Sequence, residues 1–217
     1  FDRSHDRATE HHEFFHRAFP LSFTPTILAS GSMIRAALLD GVGLDYRVQR
    51  PGVDEDLLKA GFSGTTEAMA TMLAEAKAGE VSSRFGGALV IGSDSIAECR
   101  GVRFDKPKDR DEAAEHLRFF SGKALSLVSA VALVRDGVVG WSHVERARLW
   151  VRRLSDEFIE SYLVDEWPEV GFCVGVFRME GRGATLFERV EGSHFTVLGL
   201  PLLPLLEALR ERGAMTS

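Results

Sequence analysis

Cysteine is nearly absent. Cys99 and Cys173 stand far apart and outside any C-x-x-C spacing, which argues against a disulfide framework or a thiolate zinc site. Long apolar runs are missing too: no stretch approaches the roughly 18 residues a bilayer demands, and no apolar signal run opens the chain. Positive charge is in deficit, 26 Lys and Arg against 32 Asp and Glu for a net charge of −6. A nucleic-acid backbone is therefore not an expected partner, and any anionic ligand has to be gripped by a local cluster. Internal repeats and low-complexity tracts are lacking within the globular part. The expectation is a soluble protein of a reducing cytoplasm, without membrane or nucleic-acid partners.

What is present suits one α/β domain. The 217 residues, 45% of them hydrophobic, suffice for a substantial core, with room for two lobes. Residues 1–24 hold four of the seven histidines and many charges, and read as a disordered or cloning-derived tail; His12 and His16 have the spacing of a helical metal pair but lack a third ligand. The domain is placed at 25–213, with a short tail at 214–217.

Within it, Thr26-Ile27-Leu28-Ala29 reads as a buried strand and Ser30-Gly31-Ser32 as the loop into a helix over 34–39. Tyr46-Arg47-Val48 suggests a second strand. A short acidic helix over 54–59 and a longer one over 66–80 follow, the latter with Met69, Leu73 and Ala76 on one face. Ala88-Leu89-Val90-Ile91 is apolar on both faces, as in a central strand covered on both sides, and ends in Gly92-Ser93-Asp94-Ser95. Asp109 caps a helix to Phe120. β-rich segments at 124–134 and 138–151 join through Asp136-Gly137, a hairpin signal. Ser155 caps a helix through Leu163. Strands are predicted over 185–190 and 195–198, and Pro201 opens a helix that runs through Arg212 and stops at Gly213. Without a regular βαβ rhythm, a mixed sheet flanked by helices is favoured.

The chemistry-bearing residues are scattered. Ser32 and Arg35 stand at a helix N-terminus, where backbone N–H groups favour phosphate, although a capped helix with a solvated arginine is the plainer alternative. Glu55 opens the acidic helix, and Asp94 lies at the end of the most buried predicted strand, where polar groups face ligands in open α/β sheets. Two such carboxylates suit a hard divalent cation and a positioned water, whereas Glu55 alone could merely complement a helix dipole. Lys77 and Lys106 could balance charge on phosphate or departing pyrophosphate, or simply be solvated. Together the set matches phosphoanhydride hydrolysis, which depends on positioning and charge stabilisation.

The segments LASGSMIRAALL, PGVDE, LAEAKA, LVIGSDS, DKP and EGRGATLFERVEGSHFTVLGLPL, in that order and spacing, resemble the Maf family of nucleotide pyrophosphatases. The resemblance implies a two-lobed α/β fold with an elongated mixed sheet and a cleft between lobes, and a homodimer. It implies hydrolysis of a nucleoside triphosphate between its α and β phosphates with a divalent metal, Mg²⁺ or Mn²⁺. It assigns Ser32 and Arg35 to phosphate, Glu55 and Asp94 to the metal, Asp94 also to the water, and Lys77 and Lys106 to charge stabilisation. Met33, Asp105 and Thr196 depart from the usual proline, glycine and asparagine, and Asp105 could compete with phosphate for Lys106.

Glu180 stands where many members carry glutamine. A carboxylate only accepts hydrogen bonds, so it suits the N1–H and N2–H donors of guanine, and positive 7-methylguanine above all. With S-E-G-like and L-F-E-R-x-E-G segments, this resembles the 7-methyl-GTP branch; a solvated Glu180 is the alternative. The competing functions are a dTTP and UTP pyrophosphatase, or a weakly catalytic nucleotide-binding regulator of septum formation. Trp141, Trp150 and Trp167 suggest core packing more than base stacking, and His143 and His194 show no partner.

Overall fold

One strand organises the chain, and its neighbours explain where the chemistry gathers. The structure, a computed structural model, describes residues 25–216; the proposed tail and the His12/His16 pair lie outside the described residues. In chain order the elements are β1 (Thr26–Ala29), α1 (Met33–Gly41), β2 (Arg47–Val48), α2 (Glu55–Ala60), α3 (Thr66–Ser82), β3 (Leu89–Cys99), β4 (Val102–Phe104) and α4 (Arg110–Phe120). Then come β5 (Ala124–Arg135), β6 (Val138–Val151), α5 (Asp156–Glu166), β7 (Phe187–Glu191), α6 (His194–Val197) and α7 (Leu202–Glu211). The strands form one mixed sheet in the order β2-β1-β3-β5-β6-β7, with β4 also paired to β3, the α/β architecture expected.

Capping chemistry sets most helix starts. Ser32, Asp54, Thr65, Asp109 and Ser155 each accept a bond from the backbone N–H three residues on, satisfying a donor that the first helical turn leaves open. At the far end, Gly213 at φ +64° lets Ala214 N–H return to the Leu209 carbonyl and close α7. Asp136 and Gly137, both at positive φ, make the tight β5–β6 turn.

Two apolar cores share the long strands. One gathers Ala97, Cys99, Leu125 and Leu127 with α4 and α5. The other gathers Leu89, Ile91, Val131 and Leu133 with α1 and α7. They occupy opposite ends of β3 and β5, which join from Val90 to Cys99, so two lobes are strung on one pair of strands. α3 packs across the other face, with Met69, Leu73 and Ala74 against Ile96, Val128 and Ala130. Its approach is close because Gly92 has no side chain: a Cβ there would overlap the Ala74 carbonyl oxygen.

Several expectations are corrected. β3 does not stop at Gly92 but continues to Cys99, so Asp94 is mid-strand. Its polar residues tolerate the sheet because each finds a partner there, Ser93 donating to the Ala130 carbonyl at 2.8 Å and Asp94 accepting from Lys77. On α3 the buried stripe includes Lys77 and Ala78 while Ala76 is only half-buried. Residues 195–198 are not a strand; His194–Val197 is a helical turn. A strand would send Phe195 and Val197 to one side, whereas Phe195 packs against the α1–α7 core and Val197 enters the other. The strand predicted from 185 begins at Phe187, after a 3₁₀ turn over Arg182–Leu186. Among the described residues no helix is long and apolar enough to cross a membrane.

Candidate active site

On one side β3 is paired twice and left open between. β1 covers Leu89 to Gly92 in parallel, and β4 covers Ala97 to Cys99 in antiparallel fashion. No strand among the described residues pairs that edge from Ser93 to Ile96. The gap lies beyond the carboxyl end of β1, where an α/β sheet exposes polar groups to ligand, and midway between the two cores.

Alternation along β3 divides the gap chemically. Asp94 points to the α3 side, where its Oδ1 takes a hydrogen bond of 2.6 Å from Lys77 Nζ. Ser93 and Ser95 point to the opposite side, toward α1 and the turn after α6. Glu55, the first residue of α2, brings Oε1 to 2.8 Å from the same Lys77 ammonium. Lys77 and Asp94 side chains are each 9% exposed and Glu55 is 39% exposed, so two carboxylates from separate segments converge on one largely buried cation. Burial would raise the Glu55 carboxyl, but Lys77, assisted by Lys59 and Lys106, outweighs it and holds the group below its ordinary value.

Arg35 approaches from the other side. Its Nε donates to the Gly199 carbonyl at 2.8 Å, Nη2 to Ser95 Oγ at 3.0 Å and Nη1 to Ser30 Oγ at 3.3 Å. Burial presses its pKa down while Asp94 and Glu55 pull it up, with a net lowering; a guanidinium stays charged regardless. Three of its five N–H donors are held by protein, leaving two for a ligand. Ser32 caps α1 through the Arg35 N–H at 3.4 Å, so its hydroxyl and the helix N-terminus share the approach to Arg35.

Lys106 is exposed on the loop between β4 and α4, and its charge acts on both Glu55 and Cys173. Asp105 does not compete for Lys106. It is paired with Lys59 of α2 at 2.7 Å, and Lys59 lies 3.9 Å from Glu55. Glu180 stands apart from the Lys77 cluster, exposed in a turn, and its charge acts on Arg178 and Cys173.

Sequence reasoning did not single out Ser95, Gly199 or Lys59. The first two partner Arg35 from 60 and 164 positions away, a relation no local pattern signals. Trp141 and Trp167 pack against the two cores, as expected, Trp141 also stacking on His143, while Trp150 carries the Arg189 guanidinium at 4.3 Å. His143 has a partner after all, Glu145 at 3.3 Å.

Glu55 and Asp94 are the residues that could hold a divalent metal. Hard oxygen donors already converging on one cationic point match what Mg²⁺ takes from a protein. Among the described residues no group of three or more His, Cys, Asp or Glu converges, so water and a bound anion would complete the coordination.

Known proteins resemble the chain over nearly all of its described length. Residues 25–212 match the family described as Maf-like protein. The chain is 47% identical over 192 residues to a 7-methyl-GTP pyrophosphatase of Rhizobium meliloti (strain 1021), covering 87% of this chain and 96% of that protein. It is 44% identical to a nucleoside triphosphate pyrophosphatase of Paramagnetospirillum magneticum (strain ATCC 700264 / AMB-1), covering 87% and 99%. A nucleoside triphosphate pyrophosphatase of Ruegeria sp. (strain TM1040) is 39% identical, with 88% and 97% covered. The matched segment takes in every described element from β1 through α7 and all the clustered charges, and on that ground the chain belongs to the Maf family.

Proposed function

We propose that the chain is a nucleoside triphosphate pyrophosphatase that hydrolyses 7-methyl-GTP to the monophosphate and pyrophosphate with Mg²⁺ or Mn²⁺. The observation that carries the reading is the Glu55–Lys77–Asp94 convergence beside Arg35 at the open edge of β3. Cations and carboxylates face a single gap there, as hydrolysis of a phosphoanhydride needs.

Asp94 orients the attacking water and accepts its proton. Lys77 fixes the Asp94 carboxylate and offsets charge that grows on the phosphate oxygens. The two free N–H groups of Arg35 match a pair of phosphate oxygens, while Ser32 and the start of α1 offer further donors. Lys106, exposed and with its charge acting on Glu55, meets the departing pyrophosphate. A divalent ion held by Glu55 and Asp94 supplies Lewis-acid charge stabilisation when bound.

Support for the base comes from the relatives' names and from Glu180. The Rhizobium meliloti relative is named for 7-methyl-GTP. The charges of Glu180 and Lys106 both act on Cys173, and the exposed Glu180 carboxylate can accept from N1–H and N2–H of a positive purine. The same proposal includes a homodimer, which sedimentation would read directly.

The test is pyrophosphate release from 7-methyl-GTP, GTP, dTTP and UTP with each metal. We expect 7-methyl-GTP to lead. A dTTP or UTP preference would overturn the base assignment, and binding without release would favour a regulator. Asp94→Asn should lower kcat by roughly 10²–10⁴ while remaining folded; near-normal turnover sinks the mechanism. Glu180→Gln should reduce the 7-methyl-GTP to UTP ratio of kcat/KM about tenfold, and an unchanged ratio would remove Glu180 from base recognition.

A further inference from the structure

We propose that the Gly199 turn, with the hydroxyls of Ser93, Ser95 and Ser129, is a cradle that positions the Arg35 guanidinium for the phosphate chain. The inference rests on the pyrophosphatase reading and assigns a role to the G-L-P segment, which that reading leaves idle.

β5 is buried without interruption from Leu125 to Val134, and in such a wall a hydroxyl costs stability unless it is bonded. Ser129 and Ser93 are nevertheless fully buried. Ser129 Oγ donates to the Thr196 carbonyl at 2.9 Å and lies 2.9 Å from Ser95 Oγ. Ser93 Oγ bridges the carbonyls of Ala130 and Gly199, at 2.8 and 3.1 Å. Alanine would fill any of these positions without needing a partner. The hydroxyls instead converge on the atoms that hold Arg35.

Proton accounting gives the network a direction. Arg35 can only donate, so Ser95 Oγ accepts from Nη2 and turns its own proton to Ser129 Oγ or to the Gly199 carbonyl at 3.3 Å. Ser129, whose proton goes to Thr196, is free to accept. The bonds thus run outward from the cation through β3 and β5, each polarising the next. The Thr196 side chain makes a separate bond, its hydroxyl donating to Glu145 of β6.

Gly199 is the node. Its carbonyl accepts from Arg35 Nε and lies within reach of the Ser93 and Ser95 hydroxyls at 3.1 and 3.3 Å, its φ is +93°, and a Cβ would sit 3.1 Å from Ser95 Oγ. A side chain there strains the backbone and crowds the hydroxyl. The cradle holds two Arg35 donors and Ser30 a third, which aims the remaining two, so the fork does not have to be ordered anew when phosphate binds.

The experiment measures pyrophosphate-release kinetics for Ser95→Ala and Ser129→Ala in the wild-type and Arg35→Lys backgrounds. In the wild-type background each is expected to lower kcat/KM roughly fivefold to tenfold. Lysine has no planar fork to orient, so in the Arg35→Lys background the same changes should cost less than about twofold. Ser95→Thr, which keeps the hydroxyl, should rescue. Equal losses in both backgrounds, or no loss in the wild type, would overturn the cradle. Should Ser129→Ala unfold, Ser129→Cys preserves the size with a much weaker hydrogen bond. If the unmodified chain releases no pyrophosphate, the functional reading has failed separately. The same comparison is then made on the Kd of a non-hydrolysable nucleoside triphosphate, with the same two outcomes.

Discussion

Lys77 carries a double load, because two carboxylates that would repel each other face one ammonium. Lys77→Met would leave Asp94 and Glu55 opposed, with Asp94 largely buried, and should lower stability by up to about 3 kcal/mol. Mg²⁺ should then raise the denaturation midpoint of the variant more than that of the wild type, since it restores a cation between the acids. A variant as stable as the wild type in metal-free buffer would show that the convergence is not energetically important. The charged positions Arg35, Glu55, Lys77, Asp94 and Lys106 were legible because each stands in a short segment of distinctive type. Their holders were not: Asp105 finds Lys59 across 46 positions, and nothing near either residue announces the pair.

Among elements, the contact of α3 with β3 is the tightest constraint. Gly92→Ala would drive a methyl into the α3 backbone and the Ala78 side chain, costing about 1–3 kcal/mol. By pushing α3 outward it should also separate Lys77 from Asp94 and reduce kcat. Full stability and activity in that variant would refute the close approach. The caps Asp109 and Ser155 and the Asp136-Gly137 turn were readable because their signals are local. The length of β3 was not, since Gly92-Ser93-Asp94-Ser95 has the composition of a loop and becomes strand only through partners on β5 and α3. Likewise Phe195, Thr196 and Val197 suit a strand by residue type, and the demand to face two different cores makes them a helical turn.

For the molecule as a whole, acid sensitivity follows from a second ionic cluster on the α3 face of the sheet. Burial would raise Glu98, yet the Thr66 hydroxyl and Arg146 hold it low; burial would likewise raise Glu67, which its own backbone N–H and Arg146 hold low. Both are depressed in the folded state, so their contribution is complete above the ordinary carboxylate range near pH 4.3 and disappears as pH falls through their lowered values. These groups are partly exposed, which limits each pair to about 1 kcal/mol or less. Thermal midpoints of Arg146→Met should lie below the wild type at neutral pH and converge with it in acid. Parallel curves at every pH would contradict the assignment.

Because β3 and β5 stay paired from Val90 to Cys99 and feed both cores, the lobes cannot swing apart without breaking the centre of the sheet. Whatever opens the gap to a nucleotide must come from its lighter border, α2 and the Lys106 loop joined by Lys59 and Asp105. In deuterated solvent the amides of β5 should exchange only with global unfolding, while those of α2 should exchange by small local openings and slow down once a ligand is held.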